Sequence, residues 1–347
     1  MRLRTPHRAG QRDRAARGLS SLARYPKLIL SSAKELREPI VAAYRGRSMR
    51  VVSLLATLPL VVTASGGSGV VAKVAVPGTP CGVAGSPGAV WVTEASKGRL
   101  VRIDPATNAV TTRVATDRTP CELKYAAGSI WVVTQSGRVD RFSPATAKRI
   151  ASIPVGRTTY DLTFALGSIW VTNRNGGTVQ RIGVGANRVV KTIAFPPGAA
   201  PAGIGYAGGA LWVGDDHGSS VFRLDPRTYK LTRVRSGGLR ASWIAVNGRD
   251  VWVSNTTDGT VTRIDAVQRR AAATVQVGIS PVNLEVIGGD VWVPNDLGNT
   301  ISHIDGTTGK VVETIPTGED PAVVAGAAGD VWATMFQGAQ VWRIHPG

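Results

Sequence analysis

Two columns of residues in this chain mix carboxylates, amides and aromatic rings in a way that suits ligand chemistry. Nine places before each of seven regularly spaced tryptophans stand Gly82, Glu122, Asp161, Gly203, Trp243, Asn283 and Val323. Tyr160 lies one place earlier, beside Asp161. An aromatic ring next to carboxylates suits a cationic, sugar or aromatic ligand. The plainer reading is a channel filled by ordinary side chains and water. Three places after each Trp the residues are Glu94, Thr134, Asn173, Asp215, Asn255, Asn295 and Met335. Asn and Asp there suit turns, because they cap local backbone and tolerate left-handed φ. A ring of such oxygens around a channel mouth would also hold a cation or a hydroxylated ligand. The candidate ligand-binding residues are therefore Glu122, Tyr160, Asp161, Trp243 and Asn283, with Asn173, Asp215, Asn255 and Asn295.

Catalysis finds less support. Four histidines are present. His303 occupies a column otherwise filled by Arg102, Arg141, Arg181, Arg223, Arg263 and Arg343, and reads as a strand residue standing in for Arg. His345 replaces a turn Asp, and His7 lies near the N-terminus. Only His217, in Gly214-Asp215-Asp216-His217-Gly218, falls on a loop near a functional face. No spacing matches a zinc site, and no Ser/His/Asp or Cys/His set is visible. The expectation is no catalytic residue, no metal ligand and no cofactor.

The two cysteines, Cys81 and Cys121, share one column, ten places before the Trp in adjacent repeats. If that column lies about 7 Å from a seven-fold axis, neighbours sit ~6 Å apart, within disulfide range. The expectation is a Cys81–Cys121 disulfide, which export would permit; two free buried thiols and a metal site are the alternatives, and no His column accompanies the cysteines.

These side chains need a scaffold, and the repeats describe one. The marker residues are Trp91, Trp131, Trp170, Trp212, Trp252, Trp292 and Trp332, at spacings of 39 to 42 residues. In the first repeat four short segments, 80–85, 89–93, 99–103 and 109–114, are rich in β-favouring residues. Gly, Asp and Pro separate them. Tight turns needing positive φ precede each Trp, as at Gly208-Gly209. Four strands at a period near 40, with no helical periodicity, read as a propeller blade. The last repeat ends at Val341-Trp342-Arg343-Ile344 without a fourth strand, while residues 70–78 resemble the fourth strand at 310–318. The expected fold is all-β: a seven-bladed β-propeller over residues 70–347, its N-terminal strand closing the last blade. Closure removes open sheet edges. The tryptophans themselves read as core.

Charge is uneven. The chain carries a net charge of +18, and residues 1–50 hold 13 of its 41 Lys and Arg but only 3 of its 23 Asp and Glu. More than half of the excess therefore lies outside the repeats. Dispersed Arg on solvated strand faces accounts for the rest, although a moderately basic propeller can also contact nucleic acid or an anionic surface. Met49-Arg50 precedes the apolar run 51–62 and the small residues Thr63-Ala64-Ser65, the pattern of a secretory signal. The run is short for a membrane span. Two readings compete: export with cleavage near Ala64, residues 1–48 being absent from the translated protein, or a cytoplasmic basic arm held by an uncleaved anchor at 51–64. The first places the propeller outside the cell or on its surface. The second makes membrane contact a property of the N-terminal segment alone.

The repeat unit resembles the YVTN/YncE-like β-propeller proteins. Trp252-Val253-Ser254-Asn255 followed by Gly259-Thr260-Val261-Thr262-Arg263-Ile264-Asp265 carries the resemblance best. Trp292-Val293-Pro294-Asn295 follows, with His303 in place of Arg. The repeats are also similar to virginiamycin B lyase-like propellers, whose units run Trp-Phe-Thr-Glu; Trp91-Val92-Thr93-Glu94 approaches that form. That family implies His and Glu residues acting with a divalent metal such as Mg²⁺ in ring opening. This chain lacks a His-containing repeat of the matching pattern. WD40 proteins differ, since their Trp-Asp dipeptide is absent.

The expected function is an exported, non-catalytic propeller that binds a small molecule, glycan or protein partner at the channel mouth. The alternatives are a metal-dependent lyase, its metal held by Asp215, Asp216 or His217 with carboxylates on neighbouring blades, and, as the YncE-like resemblance implies, a nucleic-acid-binding propeller.

Overall fold

The computed structural model describes residues 67–156 and 158–347. The basic arm 1–48 and the signal or anchor segment 49–66 lie outside the described residues. Among the described residues no helix is long and apolar enough to cross a membrane. Two 3-10 turns, Ala95–Lys97 and Asp296–Gly298, are the helical elements there. Everything else regular is antiparallel strand.

Each repeat makes four strands, as in Pro80–Ser86, Ala89–Glu94, Arg99–Asp104 and Ala109–Ala115. The second strand is buried along its whole length, whereas the fourth alternates between exposed and half-buried positions. The second strand therefore has protein on both of its faces, and the fourth has water on one. Gly208 and Gly209, with φ of 55° and 74°, turn one first hairpin, which only glycine does without a Cβ penalty.

Hydrogen bonding groups the strands into six sheets, five of four strands and one of eight. The sequence leads one to expect seven separate sheets. The difference comes from a single residue pair: Asp215 at the end of Ala210–Asp215 meets Ala241 at the start of Ala241–Asn247, and this links two sets of four strands. Gly214 makes the approach possible, since a Cβ there would collide with the Ser242 carbonyl. The N-terminal strand Gly69–Ala75 pairs with Gln340–His345, and completes the sheet that also holds Asp330–Met335 and Pro321–Ala327. The first and last described strands thus pair with each other rather than leaving free edges.

The first strands converge. Pro80–Ser86 touches both Pro120–Ala126 and Pro321–Ala327; contacts then pass through Thr159–Ala165, Pro201–Ala207, Ala241–Asn247 and Glu285–Ile287 back to Pro321–Ala327. These strands surround a central channel. Side chains staple neighbouring sheets beside it: Thr93 Oγ1 donates to the Cys121 carbonyl at 2.7 Å, and Thr334 Oγ1 to the Cys81 carbonyl at 2.8 Å.

The seven marker tryptophans are all fully buried between the sheets. Five donate their indole N–H to the residue five places earlier, as Trp131 does to the Ala126 carbonyl at 3.0 Å. Each faces an Arg on the third strand, or His303 in one case. The Arg141 guanidinium lies 4.7 Å from the Trp131 ring centre, a cation–π distance.

Candidate functional site

The residues nine and ten places before the Trp sit on β-bulges. The first-strand register shifts between Pro80 and Val83, Pro120 and Leu123, Thr159 and Leu162, Pro201 and Ile204, Ala241 and Ile244, and Pro321 and Val324. Each shift brackets the two columns that hold Cys81, Cys121, Glu122, Tyr160, Asp161 and Trp243. An extra residue in one strand re-aims side chains that simple alternation would send to opposite faces. In the sixth repeat the ladder is interrupted: Pro281 makes an isolated bridge to Asn295, and regular pairing resumes only at Glu285–Ile287. Asn283 lies in that irregular stretch.

These irregularities bring four of the five candidates Glu122, Tyr160, Asp161, Trp243 and Asn283 into two contacts. Asn283 Nδ2 donates to Glu122 Oε2 at 3.2 Å, although their strands are not neighbours in the ring. Tyr160 stacks on Trp243 with ring centres 4.8 Å apart and an interplanar angle of 29°. Asp161 is tied down by backbone. Its carboxylate accepts from the amides of Leu162 at 2.7 Å and Ile204 at 2.9 Å. Gly203 completes the layer, because a Cβ there would press on the backbone of Trp243 and Ile244.

Glu122, Asp161 and Asn283 are buried, while Tyr160 and Trp243 are half-buried. Burial raises the Glu122 pKa to about 8, reinforced by the charge of Asp161. Burial also raises Asp161, to about 6; Lys124 and its two backbone donors limit the rise. The Tyr160 phenol is pushed up as well, by burial first and then by the carboxylate of Asp216. A layer of this kind offers a carboxyl that titrates near neutrality, a fixed carboxylate and two half-buried rings.

Asp216 organises the adjoining loops. It is buried and takes ion pairs from Arg174 and Arg240, the latter at 3.0 Å, and a short hydrogen bond from Ser242 Oγ. Arg174 also lies 5.4 Å from the Tyr160 ring centre. The pair of arginines on one carboxylate thus buttresses the Tyr160–Trp243 stack. Sequence reading gives Asp216 a place only in the lyase alternative, as a metal ligand with Asp215 or His217, and does not foresee its pairing with Arg174, Arg240 and Ser242. His217 itself is exposed, with Nδ1 3.4 Å from the Gly198 carbonyl.

The second column lies elsewhere. Asn255 Nδ2 donates to Thr260 and Thr262 at 3.0 and 2.9 Å, and Asn295 Nδ2 to Thr300 and Ser302 at 3.0 and 2.9 Å. Asn173 donates to Thr178 at 3.1 Å, and Asp215 accepts from the amides of Ala200 and His217. All four are buried beneath the segments entering the first strands; Asn255 and Asn295 lie against Gly238 and Gly278, where no Cβ would fit. These are turn and strand-end bonds within single sheets, and they do not bring the four residues together.

Cys81 and Cys121 form a disulfide, with Cα atoms 4.9 Å apart. Gly82 permits it: a Cβ there would meet the Cys121 carbonyl. Among the described residues no three His, Cys, Asp or Glu side chains gather in a group able to hold a metal.

Two residues below Glu122, Lys124 Nζ lies 2.5 Å from Glu285 Oε2. This ion pair spans the channel in the same direction as Glu122–Asn283. Burial works against the Lys124 charge, but Glu285, Asp161 and Glu122 outweigh it and raise its pKa. The column seven places before the Trp reads Ala84, Lys124, Thr163, Gly205, Ala245, Glu285 and Ala325. One cation and one anion among small residues is a signal the sequence carries, and it escapes a search confined to the neighbouring columns.

A family described as a repeat of unknown function (DUF6923) matches residues 123–277. No curated protein matches the sequence. Solved structures do resemble the fold. A streptogramin B lyase shares 16% identity, with a TM-score of 0.70 over 78% of this chain and 95% of that one. Virginiamycin B lyase from Staphylococcus aureus shares 17%, with a TM-score of 0.67 over 79% and 98%. Hydrazine synthase of Kuenenia stuttgartiensis shares 15%, with a TM-score of 0.68 over 80% and 98%. The chain is an all-β, propeller-like repeat protein. Identities this low carry the fold and leave function to the site.

Proposed function

We propose that this is an exported, seven-bladed propeller that binds a small ligand, glycan or protein partner at the channel mouth formed by Tyr160, Trp243, Glu122, Asp161 and Asn283, without catalysing a reaction. The observation that carries the reading is the Tyr160–Trp243 stack, 4.8 Å between centres, beside two buried carboxyl groups. Aromatic faces next to acids recognise cations and sugar C–H surfaces. The blade count is supported by the eight-stranded sheet, which holds two full sets of four strands joined at Asp215 and Ala241 alone. The Trp-Val-Ser-Asn and Gly-Thr-Val-Thr-Arg-Ile-Asp motifs of the fifth repeat support assignment to the YVTN/YncE-like propellers. Export is supported by the Cys81–Cys121 disulfide, since such bonds persist in oxidising compartments.

A lyase reading rests on fold likeness. His303 and His345 are held by Asp290 and Asp330, and His217 stands on an exposed loop; none bonds to Glu122 or Asp161. Calorimetric titration of oligosaccharides and quaternary ammonium compounds into wild type and Trp243→Ala tests the binding reading. A compound that binds wild type and loses most of its affinity in the variant supports it. Equal affinity for a confirmed ligand removes Trp243 from the site and overturns the reading.

A further inference from the structure

A recess with a volume of about 350 Å³ lies at the far ends of the first strands. Its walls come from the ends of the first strands, beyond the bulges: Gly85, Tyr125, Ile287 and Gly326, with Lys124 and Glu285 at its base. The volume is that of a small-molecule site. Backbone creates it. A Cβ on Gly85 would collide with the Gly326 carbonyl, and one on Gly326 would press on Ile287. The first strands of the first and seventh repeats therefore approach closely, and at their ends Gly85 and Gly326, beside Ala84 and Ala325, face the space.

The Lys124–Glu285 pair is reachable from this recess, with 38% and 33% of the two side chains exposed. Half-open ion pairs of this sort contribute little, so exchanging partners costs little. A lone anion bound to Lys124 would face Glu285, with Asp161 and Glu122 behind it. A lone cation on Glu285 would face Lys124. A molecule carrying both charges satisfies both groups at once. Tyr125, 37% exposed, and the partly buried Ile287 add an apolar wall beside the charges.

We infer that this recess binds a small zwitterion, an α-amino acid with an apolar side chain. Its carboxylate takes Lys124, its ammonium takes Glu285, and its side chain lies against Tyr125 and Ile287. The inference is independent of the ligand proposed at Tyr160 and Trp243.

Isothermal titration of the full chain with L-phenylalanine, N-acetyl-L-phenylalanine and L-phenylalaninamide tests it. The expected result is binding of L-phenylalanine, with each blocked form weaker by about tenfold or more, because each leaves one charged partner unmatched. Lys124→Gln and Glu285→Gln are expected to weaken L-phenylalanine by a similar factor. Tyr125→Ala, a change at an exposed ring that leaves the charges intact, weakens it too and serves if a charge variant fails to fold. No binding of L-phenylalanine, or equal affinity for the blocked forms, overturns the inference.

Discussion

Asn283 Nδ2 donates to Glu122 Oε2 at 3.2 Å and joins two strands that the ring keeps apart. The contact needs both local irregularities, the bulge that re-aims Glu122 and the interrupted ladder that frees Asn283. It also gives the buried Glu122 carboxyl one polar partner in place of water. One such bond does not replace full hydration, which is why burial dominates and the pKa rises to about 8. Asp161, raised to about 6, titrates with it as a pair.

Stability is therefore expected to fall as pH rises from 5 to 8. Both groups have native pKa values above their unfolded ones, so the native state binds more protons than the unfolded state in this window. The turn carboxylates Asp225, Asp265 and Asp305 act in the opposite sense, because backbone amides hold their values below normal. Their contribution is lost only in more acid solution. Urea midpoints measured at pH 5, 6, 7 and 8 check this, and Glu122→Gln is expected to flatten the slope and raise the midpoint at pH 8. A wild-type midpoint that stays level would contradict the burial of Glu122.

Reduction of the Cys81–Cys121 disulfide, which closes a separation of 40 residues, is expected to cost about 2–4 kcal/mol. Denaturant unfolding with and without reductant gives the difference, provided that intact mass first shows the oxidised form two mass units lighter. Identical midpoints would mean that the bond does not restrain the unfolded chain.

The two kinds of tryptophan separate by experiment. Trp252→Ala empties a fully buried site between sheets and is expected to cost about 3–5 kcal/mol. Trp243→Ala removes a half-buried ring stacked on Tyr160 and is expected to cost about 0.5–1.5 kcal/mol from the lost stack. Comparable losses in thermal unfolding would make Trp243 a core residue like the others.

His303 stacks on Trp292 with centres 4.1 Å apart, and its Nε2 lies 2.7 Å from Asp290. Arg263 makes the equivalent pair with Asp250 at 2.8 Å over Trp252. His303→Arg is accordingly expected to be neutral within about 0.5 kcal/mol, and His303→Ala to lose about 1–2 kcal/mol. If His303→Arg proves as damaging as His303→Ala in urea unfolding, the column equivalence fails.

Much of the fold was legible because the repeat is. A Trp every 39 to 42 residues, with four β-rich segments between, leaves few ways to bury so many apolar faces. The fourth-strand likeness of residues 70–78 pointed to the pairing of Gly69–Ala75 with Gln340–His345. Part of the candidate site was visible as well, since Glu122, Asp161, Trp243 and Asn283 stand out from a column that also holds Gly and Val.

Other features were not written in any single stretch of sequence. Alternation along a strand predicts opposite faces for Tyr160 and Asp161, and the bulge overrides it. Which Asn residues serve turns depends on what lies over them, and Gly238 and Gly278 cover Asn255 and Asn295. The closing of the channel by Lys124 and Glu285 pairs residues four repeats apart, so their meeting depends on how many sheets the ring holds and how far across it each side chain reaches. The sequence by itself determined a β-repeat with its buried tryptophans, because periodicity and hydrophobic burial are local properties summed along the chain. Only the tertiary structure decided which polar residues meet, because contact across a ring depends on curvature, bulges and the width of the channel.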